Sequence, residues 1–205
     1  MILPITFFLK ICYNIYTEDP PARQSQAPRR MRKEVPALFS IGQKIVYGSE
    51  GVFEVAEYAK SPIDKNDTRE FYVLRPVHGP LGNVIYTPVD NDKIRMRPVM
   101  DKEAALMFIQ RMPDIPTLTV EREKNRRDVY RATLAQANTD EYVSIIKTVW
   151  ERRAEFAKQK KRLSESDNDY EKKAKFCLYG ELSVALEIEL GEVERFIEQK
   201  LGAAI

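Results

Sequence analysis

The sequence predicts a segregated α+β fold, in which a small antiparallel β unit is followed by a bundle of helices. Between Phe39 and Pro98, short runs rich in Val, Ile, Tyr and Phe alternate with turns that contain glycine and proline, a pattern typical of strands and hairpins. After Asp101, apolar residues recur at the three- and four-residue spacing of amphipathic helices. The predicted boundaries are therefore 38–98 for the β unit and 101–205 for the helices.

Four or five short strands are expected in the β unit. The clearest have the ranges 42–47, 52–58, 70–76 and 84–88, and the turns between them have the ranges 48–51, 64–67 and 78–83. Gly48 and Gly51 suit a tight turn and so predict a first hairpin. This number of strands in about sixty residues predicts a closed or partly closed barrel, because closure removes exposed strand edges.

Five helices are expected in the C-terminal part. They lie near 104–109, 123–137, 139–163, 165–182 and after 191. Asn138 and Ser164 precede two of them and are predicted N-caps, since such side chains accept hydrogen bonds from the first backbone N–H groups of a helix. Trp150 falls on the apolar stripe of the third helix and is predicted to be a core residue. The helices are expected to form one bundle.

The first 37 residues fit neither part. Their apolar start, from Met1 to Leu9, is too short to span a bilayer and lacks the basic segment and cleavage site of a secretory signal. Residues 19–32 are rich in proline, glutamine and arginine, a composition that cannot bury enough apolar surface to fold. Residues 1–37 are predicted to be a disordered extension, or a stretch that precedes a true start at Met31.

Cysteine and histidine usage limits the chemistry. The two cysteines, Cys12 and Cys177, do not form a CxxC pair, which indicates a reducing, cytoplasmic setting. A single histidine, His78, lies in a predicted turn and disfavours metal sites and Ser-His-Asp catalysis. Glu181 is expected to form a salt bridge or a cap inside the bundle. No enzyme activity, no metal and no cofactor are predicted.

Charge is unevenly distributed although the whole chain carries only +2. Residues 120–163 contain twelve Lys or Arg against seven Asp or Glu, whereas residues 164–205 contain five against ten. The basic residues form two clusters, at 122–131 and 152–162. Such clusters are able to bind phosphates, but charge alone favours a solvated helix surface with interleaved carboxylates, since surface helices are commonly this charged.

An ordered set of motifs runs along residues 39–186. Its members are Phe39–Tyr47, Glu70–Leu74, Ile85–Asn91, Tyr130–Leu134, Leu163–Ser164, Lys173–Ala174 and Leu178–Leu182. In this order and at this spacing they resemble the CarD/CdnL family of bacterial transcription regulators. The resemblance implies a small N-terminal Tudor/SH3-like β-barrel, shared with transcription-repair coupling factors, followed by a C-terminal all-α bundle.

The resemblance implies that the barrel binds the β subunit of RNA polymerase. Relatives carry a basic residue in the second strand and another in a late strand at that interface. The first position falls at or next to Lys60, whereas the second falls at Tyr86, which is not basic. The polymerase-binding candidates are Lys60, Tyr86 and Arg75.

The resemblance also implies that the helical domain contacts promoter DNA and modulates open-complex formation. Relatives insert a tryptophan into the minor groove from just before the helix of Tyr130, but this sequence has Lys124–Arg127 there. Contacts with backbone phosphates are therefore expected instead of base unstacking. The DNA-binding candidates are Lys124, Arg126, Arg127, Arg131, Arg152 and Arg153.

Two alternatives stay open at this point. The first is a docking scaffold that binds polymerase or another protein without touching DNA, and the second is an enzyme. Salt-dependent DNA binding separates the scaffold from the regulator. The enzyme is disfavoured because no nucleophile and base, or set of metal ligands, has the required spacing. The expected regulator is a monomer with no membrane contact.

Overall fold

The computed structural model describes residues 39–61, 68–80 and 83–202. The predicted extension over 1–37 and the predicted turn at 64–67 lie outside these residues. The strands are β1 (Lys44–Tyr47), β2 (Val52–Lys60), β3 (Glu70–Pro76), β4 (Ile85–Pro88) and β5 (Met96–Pro98). The α-helices are α1 (Lys102–Arg111), α2 (Arg126–Leu134), α3 (Thr139–Lys158), α4 (Glu165–Leu186) and α5 (Val193–Gly202). The α+β class is therefore confirmed.

The five strands form one antiparallel sheet in the order β4-β3-β2-β1-β5. β4 and β5 are its two edges, and among the described residues they do not pair with each other. The sheet is thus not closed among the described residues, whereas a closed or partly closed barrel was predicted. Both edge strands are short, with four and three residues, so each exposes few unpaired backbone groups and closure is not needed to hide them.

One face of the sheet carries its own core. The buried side chains on this face are Phe39, Ile45, Tyr47, Phe53, Val55, Tyr72 and Leu74. Two tyrosines hold the chain that leads into the sheet: the Tyr72 hydroxyl accepts from the Phe39 backbone nitrogen at 3.0 Å, and the Tyr58 hydroxyl donates to the Phe39 carbonyl at 2.6 Å. The aromatic motif residues therefore pack inward and also satisfy buried backbone groups.

A register irregularity in β2 determines which residues share a face. A bulge between Val55 and Glu57 adds one residue to β2 relative to β3. Before the bulge Glu54 lies opposite Arg75, and after it Lys60 lies opposite Glu70. Since successive strand residues alternate between faces, the extra residue moves Lys60 to the face opposite that of Glu54.

The helices α3 and α4 begin where the sequence predicts, whereas α2 begins at Arg126, three residues later than predicted. The Asn138 side chain accepts from the Asp140 backbone nitrogen at 3.4 Å, and the Ser164 hydroxyl accepts from that of Asp167 at 3.1 Å. Both predicted N-caps are confirmed. Two short 3₁₀ turns, Met112–Asp114 and Glu123–Asn125, follow α1 and precede α2.

A second core joins the helices. Its most enclosed side chains include Ile109, Tyr130, Tyr142, Ile145, Val149, Leu178 and Leu182. The prediction of Trp150 as a core residue is wrong, because Trp150 is only half-buried and does not belong to this cluster. The inward stripe of α3 runs through Tyr142, Ile145 and Val149, and Trp150 is turned about 100° away from Val149 around the helix.

The sheet is fastened to α4 by a buried ion pair. Glu181 has no exposed side-chain surface, and its two carboxylate oxygens accept from the Arg97 guanidinium of β5 at 2.5 and 2.6 Å. Glu181 therefore forms the expected salt bridge, but its partner comes from the sheet and not from the bundle. His78 likewise contacts α4, with its Nε2 2.8 Å from the Ser183 hydroxyl oxygen.

The turn between β1 and β2 packs against the helices as well. The Tyr142 hydroxyl donates to the Gly48 carbonyl, and the Cys177 thiol donates to the Ser49 carbonyl, both at 3.2 Å. Gly51 has a φ of +107°, and a Cβ at this position would lie 3.0 Å from the Phe176 ring. A glycine is therefore required here both by the backbone and by α4.

Of the described helices, none has the length and apolarity needed to cross a bilayer.

Candidate functional site

Arg75 and Tyr86 lie on one face of the sheet, opposite the aromatic core. Tyr86 on β4 pairs with Val73 on β3, and Arg75 follows two residues after Val73, so the two side chains are diagonal neighbours. Both are exposed, Tyr86 to 46%. Glu54 and Glu57 of β2 share this surface. We call these four residues the exposed sheet face.

Lys60 does not belong to the exposed sheet face. The bulge in β2 places it on the core side, at the end of the strand, opposite Glu70. Its ammonium group donates to the Thr68 carbonyl at 3.2 Å and is otherwise exposed. The structure therefore brings two of the three polymerase-binding candidates together and separates the third.

Two of the six DNA-binding candidates converge on a single carboxylate. The Arg126 guanidinium donates to Glu123 Oε2 from Nη2 at 3.0 Å and from Nε at 3.2 Å. The Arg152 guanidinium donates to Oε2 from Nη1 at 3.2 Å and to Oε1 from Nη2. Both arginine side chains are mostly covered, at 17% and 15% exposure, whereas that of Glu123 is 64% exposed. We call Glu123, Arg126 and Arg152 the carboxylate clamp.

A buried hydrogen-bond network around Asp167 positions one arginine of the clamp. Asp167 is enclosed, and its carboxylate accepts from Arg152 Nε at 3.2 Å, from the Tyr130 hydroxyl at 3.1 Å and from the Ser164 hydroxyl at 2.7 Å. The Arg152 guanidinium also stacks on Phe156, 4.3 Å from the ring centroid. Arg152 is thus positioned by α3 and α4 independently of Glu123.

Arg153 points to a different partner. Its guanidinium forms an ion pair with Glu171 of α4, a carboxylate that is largely buried. Lys175 lies 3.8 Å from the same carboxylate and 2.8 Å from Glu194. Arg153 is therefore part of the packing between α3 and α4.

The other three DNA-binding candidates are exposed around the start of α2. Arg131 is 64% exposed, with Asp128 3.7 Å away, and Lys124 and Arg127 have no recorded side-chain partner within the described ranges. Arg127 and Arg131 line a cavity of about 540 Å³ together with Lys173. The predicted basic surface therefore divides into Lys124, Arg127 and Arg131, which are exposed and at most weakly paired, and three arginines whose guanidinium groups hydrogen-bond to carboxylates.

Hydrogen bonding and burial shift the pKa values of Glu123, Tyr130 and Cys177. The hydrogen bond from Arg126, with the charge of both arginines, holds the pKa of Glu123 below its ordinary value of 4.5. Burial raises the pKa of Tyr130. Burial also raises the pKa of Cys177 to about 11, so this thiol is protonated at neutral pH. Glu123 is thus a stable anion, and Tyr130 acts as a neutral hydrogen-bond donor.

Glu123 is the functional candidate that the sequence prediction missed. Its three-residue spacing to Arg126 is a signal for a helical ion pair and is visible in the sequence. The contact with Arg152, by contrast, joins residues 29 positions apart and has no local signal. In the part of the chain that the structure describes, no group of three or more His, Cys, Asp or Glu side chains is arranged to hold a metal ion.

Residues 39–100 match the family model described as CarD-like/TRCF RID domain. The matched segment contains all five strands and covers less than a third of the 205-residue chain. No curated protein sequence matches the chain. The resemblance predicted from the motifs is confirmed for residues 39–100, and all six basic candidates of the helical part lie beyond them.

Proposed function

From the premise that residues 39–100 form a CarD-like RNA polymerase-interacting domain, we propose that the protein is a bacterial transcription regulator. In this proposal the sheet binds the β subunit of RNA polymerase, and the helices contact promoter DNA and modulate open-complex formation. The family match of the sheet carries the proposal. The protein acts as a cytoplasmic monomer and as a binding protein without catalysis or cofactor.

The polymerase contact is assigned to the exposed sheet face and the neighbouring edge of β4. Tyr86 offers a half-exposed ring, and Arg75 beside it offers a planar set of donors, two residue types that dominate binding energy at protein interfaces. β4 has a partner on one side only among the described residues, so its other edge is open to a strand of another protein.

Binding of the full chain to purified RNA polymerase β subunit tests this contact. We expect Arg75→Glu and Tyr86→Ser each to weaken binding about 5- to 30-fold, the usual effect of losing an interface anchor. Lys158→Glu, an equally exposed position on α3, serves as the control and leaves binding unchanged. Lys60→Glu tests whether the core side of the sheet, where Lys60 lies at the end of β2, also contributes to binding of the β subunit. Failure of the folded wild-type chain to bind the β subunit refutes the polymerase contact.

The DNA contact is assigned to Lys124, Arg127 and Arg131. Exposed cations bind backbone phosphates by releasing counterions, and this affinity depends strongly on salt and little on sequence. Minor-groove wedging is not part of the proposal, since residues 124–127 contain no tryptophan and Trp150 lies within α3. The protein is therefore proposed to hold the duplex by its backbone.

Fluorescence anisotropy with a labelled duplex, measured from about 50 to about 200 mM salt, tests the DNA contact. We expect binding to weaken with salt, and the double variant Arg127→Gln/Arg131→Gln to lose about two units of the log–log salt slope. Lys102→Gln on α1 removes one cation elsewhere and is the control. Absence of salt-dependent binding by wild type favours the docking scaffold.

A further inference from the structure

We propose that Arg126 and Arg152 form a phosphate-binding clamp that Glu123 occupies in the free protein, so that Glu123 competes with nucleic-acid backbone for the two guanidinium groups. The inference deepens the DNA contact proposed above and rests on it. In this inference the Glu123 carboxylate occupies the site that a phosphodiester of DNA would bind. DNA affinity then depends on how strongly Glu123 holds the two arginines, as well as on the number of exposed cations.

The geometry of the clamp suits an oxyanion. Four N–H donors from two guanidinium groups converge on the two oxygens of one carboxylate, three of them at 3.0 to 3.2 Å. A guanidinium offers the same pairs of parallel donors to the oxygens of a phosphate as to those of a carboxylate. The donors that hold Glu123 are therefore the ones that a phosphodiester would use.

Both arginines keep their positions when Glu123 leaves. Arg152 remains bound to the buried Asp167 through Nε and stacked on Phe156, while its two Nη atoms are the ones that hold Glu123. Arg126 Nη1 lies 3.4 Å from the Tyr130 hydroxyl, so its Nε and Nη2 are the atoms that become available. The clamp is preorganised, and binding a phosphate costs little additional side-chain order.

Glu123, in contrast, is easy to displace. Its side chain is 64% exposed, and it stands on a 3₁₀ turn of three residues and not inside a helix. Because water solvates this carboxylate well once it is released, its departure costs less than that of a buried carboxylate. Exposed Lys124 and Arg127 flank the clamp and attract a polyanion to it. Exchange of one anion for the other is therefore favourable when DNA is present.

The test compares Glu123→Gln with Glu121→Gln in the full chain, using the same labelled duplex and salt series. Glu121 is exposed two residues away, so its substitution removes an equal charge outside the clamp. We expect Glu123→Gln to bind DNA about 3- to 10-fold more tightly at low salt and to steepen the salt slope by one to two units, because two cations become available. Glu121→Gln is expected to raise DNA affinity less and to leave the salt slope unchanged, because no arginine becomes available.

A coupling measurement separates the clamp from a general charge effect. Arg126→Gln is expected to reduce DNA binding more in the Glu123→Gln background than in the wild-type background, where Glu123 already occupies Arg126. Equal losses in both backgrounds overturn the inference. Circular dichroism spectra and melting of each variant establish that the comparison is made between folded proteins.

The outcomes distinguish this inference from the function on which it rests. If wild type binds DNA and Glu123→Gln behaves like Glu121→Gln, competition by Glu123 is refuted while the DNA contact stands. If no variant binds at low salt, both fall. If only Glu123→Gln binds, the competition is complete: the inference is upheld, whereas the proposed DNA contact of the wild-type chain is not.

Discussion

Among the arginine–carboxylate groups of the described residues, those of Glu181 and Glu123 lie in opposite surroundings. Glu181 is fully buried and receives both ends of the Arg97 guanidinium between the sheet and α4. Glu123 is 64% exposed and receives Arg126 and Arg152 at the surface. Both carboxylates accept hydrogen bonds from guanidinium groups, but the carboxylate has no access to water in one group and ample access in the other.

This difference decides what each ion pair can do. A buried carboxylate cannot exchange its partner for water, so removal of either charge leaves the other uncompensated in a poorly solvated site. An exposed carboxylate can leave at small cost, which makes its arginines available to another anion. We therefore assign Arg97 and Glu181 to the joint between sheet and helices, and the carboxylate clamp to ligand binding.

The largest expected effect comes from breaking the buried pair. Glu181→Gln keeps the shape of the side chain but leaves the Arg97 charge, itself only 23% exposed, without a counter-ion. We expect the free energy of unfolding to fall by about 3 kcal/mol and the melting temperature by roughly 6–12 °C for a protein of this size. Urea unfolding and thermal melting measure both quantities.

An exposed pair of the same type supplies the control. Arg111 and Asp140 form a bidentate ion pair at 2.6 and 2.9 Å with side chains 53% and 37% exposed. We expect Asp140→Asn to cost below about 1 kcal/mol. A loss from Glu181→Gln no larger than that from Asp140→Asn contradicts the distinction between buried and exposed pairs.

A buried lysine that has no carboxylate partner among the described residues extends the comparison. The Lys147 ammonium group is buried and donates to the Pro113 carbonyl at 2.8 Å and the Ile115 carbonyl at 2.5 Å. Lys147→Met keeps the length of the side chain but leaves these two acceptors without their donor. We expect a loss of about 1–3 kcal/mol in urea unfolding.

Lys158→Met is the matched control for this substitution. Lys158 lies near the end of the same helix, is exposed, and is expected to change stability by no more than about 0.5 kcal/mol. Equal effects of the two substitutions show that Lys147 is not a structural cation.

Local features of the fold were predictable from the sequence. The Asn138 and Ser164 caps depend on side chains next to their own helices, and the hairpin between β1 and β2 depends on glycines in its own turn. Closure of the sheet was not predictable in this way. Whether the two edge strands meet depends on their length and position in the folded chain, and β4 and β5 have only four and three residues.

The arrangement of the candidate sites depended on information that residue spacing does not contain. Strict alternation from Glu54 places Lys60 on the same face of β2, and the bulge after Val55 reverses that assignment. Arg152 was predicted to contact DNA because of its charge, whereas the carboxylates of Glu123 and Asp167 meet it only in the folded chain. Basic composition therefore identified the region correctly as cationic but not which cations are exposed.

The smallest expected effect on stability is that of the exposed carboxylate clamp, and its signature is pH dependence. The Arg126 hydrogen bond lowers the pKa of Glu123 in the folded state, so the clamp contributes stability above the ordinary carboxyl value of 4.5 and loses it as pH falls through the folded pKa. We expect the free energy of unfolding of Glu123→Gln at neutral pH to be lower than that of wild type by less than about 1 kcal/mol. That difference shrinks as pH falls through the lowered pKa of Glu123, because protonation removes the charge that the substitution also removes.

Glu121→Gln, which has no recorded side-chain partner within the described residues, isolates the clamp in the same pH series. Its melting temperature is expected to follow that of wild type throughout, because no ion pair is lost. A difference between wild type and Glu123→Gln that grows on acidification contradicts the sign of the pKa shift. A difference of several kcal/mol at neutral pH would make Glu123 a structural lock like Glu181, and the clamp could then not release its arginines to a phosphate.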